Sequence, residues 1–409
     1  MSGIDAALRA RAARVVPGGM WGHMHAGRMP EGYPQFFARA EGGHVWDADG
    51  TRYVDLMCAW GPILLGHRDP AVERAAARQA ALGDAMNGPA PVMVELAERL
   101  VERIAHADWA IFAKNGSDAT TACVTIARAA TGRRAILVAE GSYHGALPWC
   151  TPVREGVTAE DRAHQHRFRY NDLASLEAAA DAAGGDLAGV ILTAFRHDNV
   201  VDQEMPDPTF LRGVRALCDR RGAALILDDV RAGFRLHPGG SWEGFGVRPD
   251  LAAFSKALGN GHAIAAITGS DPLREAAARV FVTGSFWCAA VPMAAALATL
   301  EELGRRDVPG HLAALGERLR AGLAERARGF NVGLRQSGPP AMPLFLFEGD
   351  EDVRLGRAFC AAALKAGAYL HPRHNMFLCA AHTEADIEAV LRAAEPGFQA
   401  VARLQAEGG

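Results

Sequence analysis

The 409-residue sequence is as informative for what it lacks as for what it holds. Its seven cysteines are scattered, with no C-x-x-C pair and no zinc-like spacing, so they are expected to be reduced, mostly buried thiols, and no metal site is expected. No excess of one charge is present. A net charge of −4 and a pI near 6.4 give no electrostatic case for a nucleic acid or an anionic membrane as partner. The N-terminal MSGIDAALRARAARVVPGG is charged and helix-like and has no apolar centre of a signal peptide. The longest apolar stretch, Phe286 to Leu300, is alanine-rich, broken by Pro292 and short of the roughly 20 residues that span a bilayer. It reads as a buried helix, and the protein is expected to be cytoplasmic. Internal repeats and low-complexity tracts are also missing, which excludes solenoids.

What is present is a 49% hydrophobic chain, enough for a large core and for two or three domain-sized units. A helix to about Val16 ends at Pro17-Gly18-Gly19. Two short strands, His44–Asp47 and Arg52–Asp55, flank the hairpin signal Asp49-Gly50. From about Gly66, helices such as Pro91–Ile104 and Ser117–Ala130 alternate with apolar runs: Ala135–Val138, Gly189–Ala194, Ala223–Leu227 and Leu251–Ala253. Runs that are apolar throughout suit strands covered on both faces, so the pattern predicts an α/β fold with a mostly parallel sheet flanked by helices. From about Gly310, a long helix, strands Pro343–Phe347 and Phe377–Cys379, and a final helix from Thr383 predict an α+β cap. The expected layout is an N-terminal segment at 1–65 belonging to a small domain, a large domain at 66–310, and the rest of the small domain at 311–409.

Ligands of α/β sheets bind beyond the carboxyl ends of the strands. Three groups fall at such positions: Asp228-Asp229, Ser255-Lys256 before Gly259-Asn260-Gly261, and Lys114-Asn115-Gly116-Ser117-Asp118 at the start of a helix. Each has an ordinary reading. A lysine after a strand is usually a solvated surface residue, an Asp-Asp pair serves equally as a helix cap or a magnesium ligand, and Asn-Gly-Ser is a plain N-cap. Together they supply an amine, a carboxylate and an anion cradle made of backbone N–H groups and a helix dipole. Pyridoxal 5′-phosphate (PLP) needs those three: its aldehyde is trapped, its ring N–H paired and its phosphate held.

Longer motifs carry a resemblance. Val45-Trp46-Asp47-Ala48-Asp49-Gly50, Trp60-Gly61-Pro62-Ile63-Leu64-Leu65-Gly66-His67, the run Leu225 to Arg235, and Pro249-Asp250-Leu251 leading into Ser255-Lys256 resemble class III aminotransferases of PLP fold type I. Within these the chain is most similar to glutamate-1-semialdehyde 2,1-aminomutase, from about Gly18 to about Glu388. The resemblance implies that Lys256 is the Schiff-base lysine and proton carrier, and that Asp228 pairs with the pyridine nitrogen. Val230 would pack under the ring, and Tyr143 of Gly141-Ser142-Tyr143-His144-Gly145 above it, with His144 also a cofactor contact. Asn115, Gly116 and Ser117 match the phosphate turn. Gly284 and Ser285 match a segment that reaches the phosphate from a neighbouring subunit, implying a homodimer with shared active sites. Burial beside a cationic ring should lower the lysine from its usual pKa of about 10.4 and yield the unprotonated amine.

The departures from the aminomutase pattern concern the substrate. His25 stands where the aminomutases have a carboxylate-binding arginine, and histidine cannot give that bidentate grip. A loop carrying a glutamate is shortened at Leu370–Phe377, where Arg373 either meets a carboxylate or faces solvent. Arg196, in Thr193–Asp198, replaces a usual Glu-Pro and either binds substrate or lies at the surface. Trp21 and Trp60 complete the candidate substrate residues. The expected function is a class III aminotransferase that moves an amino group from a small-molecule donor to a carbonyl acceptor through a Lys256 aldimine and pyridoxamine phosphate. The alternatives are an aminomutase acting within one carbon skeleton and a non-catalytic homologue.

Overall fold

The computed structural model describes residues 3–197 and 201–408; Asp198 of the departing stretch lies outside them. The chain divides into two compact units. One comprises Met1–Asp69, Asn199–Gln203 and Gly310–Gly409, the other Pro70–Asp198 and Glu204–Pro309.

The N-terminal segment forms α1 (Ile4–Val15) and the antiparallel strands β1 (Phe37–Glu41), β2 (His44–Asp47) and β3 (Arg52–Asp55). Gly50, at φ +87°, turns the β2–β3 hairpin in a conformation that glycine tolerates.

The second unit follows in chain order: α2 (Pro70–Ala80), α3 (Val92–Arg103), β4 (Trp109–Ala113), α4 (Gly116–Thr131), β5 (Ala135–Ala139), β6 (Gln165–Phe168), α5 (Leu173–Ala183), β7 (Leu187–Thr193), α6 (Pro208–Arg221), β8 (Ala224–Asp228), β9 (Leu251–Phe254), β10 (Ala265–Gly269), α7 (Arg274–Arg279) and α8 (Ala290–Arg305). Its seven strands form one sheet in the order β4-β10-β9-β8-β7-β5-β6. β10 runs antiparallel to both neighbours, and the other strands share one direction. Every residue of β5, β7, β8, β9 and β10 is buried, as expected of strands with helices on both faces. Helix starts are capped by acids: Asp207 accepts from Thr209 and Phe210 N–H before Pro208 opens α6, and Asp172 accepts from Ser175 N–H at α5. The apolar stretch from Phe286 is only partly a buried helix. α8 begins at Ala290, which puts Pro292 in the first turn where its missing N–H costs nothing, and Phe286 before it is exposed.

The C-terminal segment adds α9 (Val308–Gly329), β11 (Leu334–Ser337), β12 (Leu344–Phe347), α10 (Arg354–Lys365), β13 (Ala368–Tyr369) and α11 (Glu384–Gly408). β13 pairs parallel with β3 and completes a four-stranded sheet β1-β2-β3-β13, so the two ends of the chain share one core. Phe345, Phe347, Phe359 and Phe398 interlock there at ring separations of 4.9–6.3 Å. Phe377–Cys379 is not a strand. Phe377, Leu378 and Ala380 donate their N–H groups to Leu56, Ala341 and Leu64, three separate places, so no ladder forms. No described helix is long and apolar enough to cross a membrane.

Candidate active site

The register of the seven-stranded sheet lines up the ends from which the predicted site residues depart. Thr193 of β7 lies beside Asp228 of β8, and Asp228 beside Ala253 of β9. Antiparallel β10 carries the line onward, with Ala266 beside Phe254 and Ala265 beside Ala113 of β4. The chain therefore leaves β4 into α4, β8 into Asp229, and β9 into Lys256 at one edge of the sheet.

The start of α4 is built for close approach. Asn115 N–H donates to Asp118 Oδ2 at 2.9 Å and Asp118 N–H to the Asn115 carbonyl at 3.1 Å, while the N–H groups of Gly116 and Ser117 precede the start of the helical hydrogen-bond ladder. A Cβ on Gly116 would lie 2.6 Å from Val230 Cγ1, so only glycine lets this turn meet the β8 loop. Gly145 adopts φ +132°, and a Cβ there would lie 2.5 Å from Ser117 Oγ, which also accepts the Ala146 N–H at 3.0 Å. The Gly141–Gly145 loop is thereby pressed onto the Gly116-Ser117 turn.

Asp228 is buried, and its carboxylate is held from two sides. Oδ1 accepts from Val230 N–H at 3.2 Å, and Oδ2 accepts from His144 Nδ1 at 2.8 Å. Since a carboxylate only accepts, the His144 proton sits on Nδ1 in this pair. The His144 carbonyl accepts from Thr120 Oγ1 at 2.7 Å, and its ring stacks on Trp149 at 6.3 Å. Its Nε2 is buried with no hydrogen-bond partner among the described residues.

The chain has only three lysines, Lys114, Lys256 and Lys365. Lys256 opens a 3-10 turn with φ +44°, a left-handed conformation that costs a non-glycine residue about 1–2 kcal/mol. Burial lowers its amine to a pKa of about 7; the Arg231 and Arg235 cations add to this and the Asp228 carboxylate opposes it. Burial likewise raises the Tyr143 phenol, with Arg231 acting against it. His197 is held well below the usual histidine range by burial and then by Arg231, whose guanidinium donates to the His197 carbonyl at 3.4 Å. Asp229 points inward to Ser241, accepting its N–H at 2.8 Å and its hydroxyl at 2.6 Å. Burial pushes that carboxyl up to about 6.

Asn115, Gly116, Ser117, Tyr143, His144, Asp228, Val230 and Lys256 thus all belong to the same unit and gather at one sheet edge. Sequence reasoning did not single out Arg231, His197, Thr120 or the His144–Asp228 pairing, although Arg231 and His197 stand inside quoted motifs. Gly284 and Ser285 are in this unit too, on a loop that exposes Ser285, Phe281 and Phe286. Arg196 bridges β-fashion to Glu204 and pairs with its carboxylate at 3.4 Å.

The other candidate substrate residues belong to the first unit. Trp21 is exposed. His25 Nδ1 accepts from Gly27 N–H at 2.8 Å, and its Nε2 lies 3.1 Å from the Gly18 carbonyl, so the ring is engaged by its own loop. Trp60 stands edge-on to His23, His371 and His374 at 4.8–5.2 Å. Arg373 is half-buried beside His371, which burial, then Arg373 and Arg357, lower to about 3. His371 Nδ1 accepts from the N–H groups of Arg373 and His374, so it closes its loop.

The amine, the carboxylate and the glycine-lined helix start fit PLP, because each is placed at the same edge and the cradle exists only while residues 116 and 145 lack side chains. The family description "Aminotransferase class-III" matches residues 28–383. An aminopentol aminotransferase of Sphingopyxis macrogoltabida is 50% identical over 396 residues, covering 97% of this chain and 94% of that one. A glutamate-1-semialdehyde 2,1-aminomutase of Bordetella avium is 34% identical, covering 96% and 98%. The FumI protein of Sphingopyxis sp. MTA144, solved in its PLP internal aldimine form, superimposes with a TM-score of 0.97 at 49% identity, covering 98% and 97%. The chain belongs to the class III aminotransferases and is a PLP-dependent enzyme of that family.

Proposed function

We propose that Lys256 is the lysine through which this aminotransferase works, with Asp228 and the Gly116-Ser117 turn fixing the two ends of PLP. When bound, PLP supplies an aldehyde that condenses with amines and a protonated ring that draws electrons from the substrate carbon. The protein does the rest. Asp228 accepts the ring N–H, while the His144 hydrogen bond keeps the carboxylate aligned at its other oxygen. The α4 N-terminus, with Asn115, Gly116 and Ser117, holds the phosphate. Val230 and Tyr143 bound the ring on its two sides. Lys256, with a pKa of about 7, is unprotonated in about half of the molecules at neutral pH and carries the proton to and from the substrate carbon. Gly284 and Ser285 serve the site of a partner subunit in a homodimer, which gives the exposed loop a role. The enzyme is cytoplasmic on the same reading as its reduced thiols.

The donor is an amine on a polyhydroxylated chain, as the name of the 50% identical aminopentol aminotransferase describes, and the acceptor is a small carbonyl compound. The tie-up of His25 in its own loop supports a substrate not gripped as a carboxylate at that position. The observation that carries the assignment is the lowered Lys256 beside the His144-held Asp228. Purified enzyme challenged with aminopentol alone should lose its yellow colour and release the keto product. If one compound isomerises with no donor and no released product, the enzyme is instead an aminomutase.

A further inference from the structure

Cys58, Cys379 and His382 meet in the interior of the unit formed by the two ends of the chain, and none is among the residues assigned to PLP. Their ligand atoms, two sulfurs and an imidazole nitrogen, lie within 4.8 Å of one another. All three residues are 1% exposed or less. Cys379 and His382 share a tight turn: His382 N–H bonds to the Cys379 carbonyl at 3.0 Å and Cys379 N–H to His382 Nδ1 at 3.0 Å. That turn sets a Cys-x-x-His pair facing one way. Cys58 comes from a distant part of the sequence, in the turn after β3, where Cys58, Ala59 and Trp60 all have positive φ (46°, 53° and 67°). Asp55 braces this turn by accepting the N–H groups of Met57 and Cys58 at 2.8 and 3.0 Å. His382 Nε2 is buried with no hydrogen-bond partner among the described residues, which is the kind of orphan that a bound ion explains.

We propose that Cys58, Cys379 and His382 bind a zinc ion that ties the left-handed Cys58–Trp60 turn to the Cys379–His382 turn. Two sulfurs and an imidazole form a soft-to-borderline donor set that selects zinc over calcium or magnesium. Binding releases the two thiol protons to solvent. Two thiolates, one neutral imidazole and one dication then sum to zero charge, which suits a place from which water is largely excluded. Three protein ligands leave one position of a tetrahedral ion for a water. Deep burial argues against the other use of two close cysteines, a redox sensor, because sensor thiols are solvent-accessible.

The test uses PLP-loaded full-length enzyme, purified without chelators, incubated with excess zinc(II) and desalted over a weakly chelating resin. Elemental analysis should find one zinc per chain in the wild type and none in Cys379→Ser or His382→Gln that still show the PLP absorbance. Because either variant can fail to fold, cobalt(II) is also loaded into the wild type. Intense d–d bands of a tetrahedral, sulfur-bound ion support the site; the weak bands of an octahedral oxygen site overturn it. A wild type that retains no zinc overturns it, as does zinc retained equally by the folded variants.

Discussion

At the scale of single residues, the active site is an arrangement of charges around one amine. Lys256→Ala should remain folded and bind PLP non-covalently, with turnover about 10²- to 10⁴-fold lower; absorbance of the purified protein and steady-state rates check this. The lowered Lys256 amine has a pH signature. Only the neutral amine attacks the PLP aldehyde, and with a pKa of about 7 its neutral fraction rises with pH below neutrality and levels above it. The rate at which apoenzyme takes up PLP should therefore climb roughly tenfold between about pH 5.5 and 6.5 and flatten above about pH 8. Arg231→Gln removes a cation that lowers the amine, so it should move that rise to higher pH. A rise that continues to pH 10 in the wild type would contradict the assignment. Asp228→Asn keeps the shape but loses the charge in a charge-assisted hydrogen bond, worth about 1.5–3 kcal/mol, so kcat/KM should fall roughly 10- to 150-fold.

At the scale of elements, the site depends on how α4 and the β8 loop approach each other. Gly116→Ala drives a Cβ to 2.6 Å from Val230 Cγ1, and Val230, branched at Cβ, cannot swing away cheaply. Overpacking of this kind costs about 1–3 kcal/mol, and it should appear both in denaturant titration and as weaker PLP binding. Adding Val230→Ala should restore part of both losses; no recovery would mean that the clash is elsewhere. The elements legible in the sequence were those with an unmixed signal. β5, β7, β8 and β9 are apolar runs buried on both faces, and β2 and β3 are marked by Asp49-Gly50. β10 was not legible, because Ala265-Ala266-Ile267-Thr268-Gly269 opens on two alanines and closes on glycine, giving no sustained apolar run, and the strand is set by β4 and β9 on either side. β6, polar at Gln165-His166-Arg167, sits at the sheet edge and shows no apolar run.

At the scale of the whole molecule, the proposed homodimer would give the exposed loop bearing Gly284 and Ser285 its role. Ser285→Ala should weaken PLP binding by about tenfold, as for the loss of one hydrogen bond to a charged group. If Ser285 serves the partner, mixed dimers of Lys256→Ala and Ser285→Ala chains regain one intact site, because one subunit then supplies Lys256 and the other Ser285. Activity in the mixture above the sum of the two parents would bear this out, and strict additivity would refute it.

Sequence alone determined the family and the α/β sheet and marked Lys256, Asp228 and Ser117 as site candidates, because motif order and strand-end position are local properties of the chain. Tertiary structure decided what these groups feel. The amine at about 7, the His144 support of Asp228 and the approach of Arg231 arise from segments that only the sheet register brings together. The same holds for Cys58 beside Cys379 and His382. The sequence shows seven scattered cysteines, and parallel pairing of β13 with β3 is what joins the two ends of the chain and makes three of their side chains neighbours.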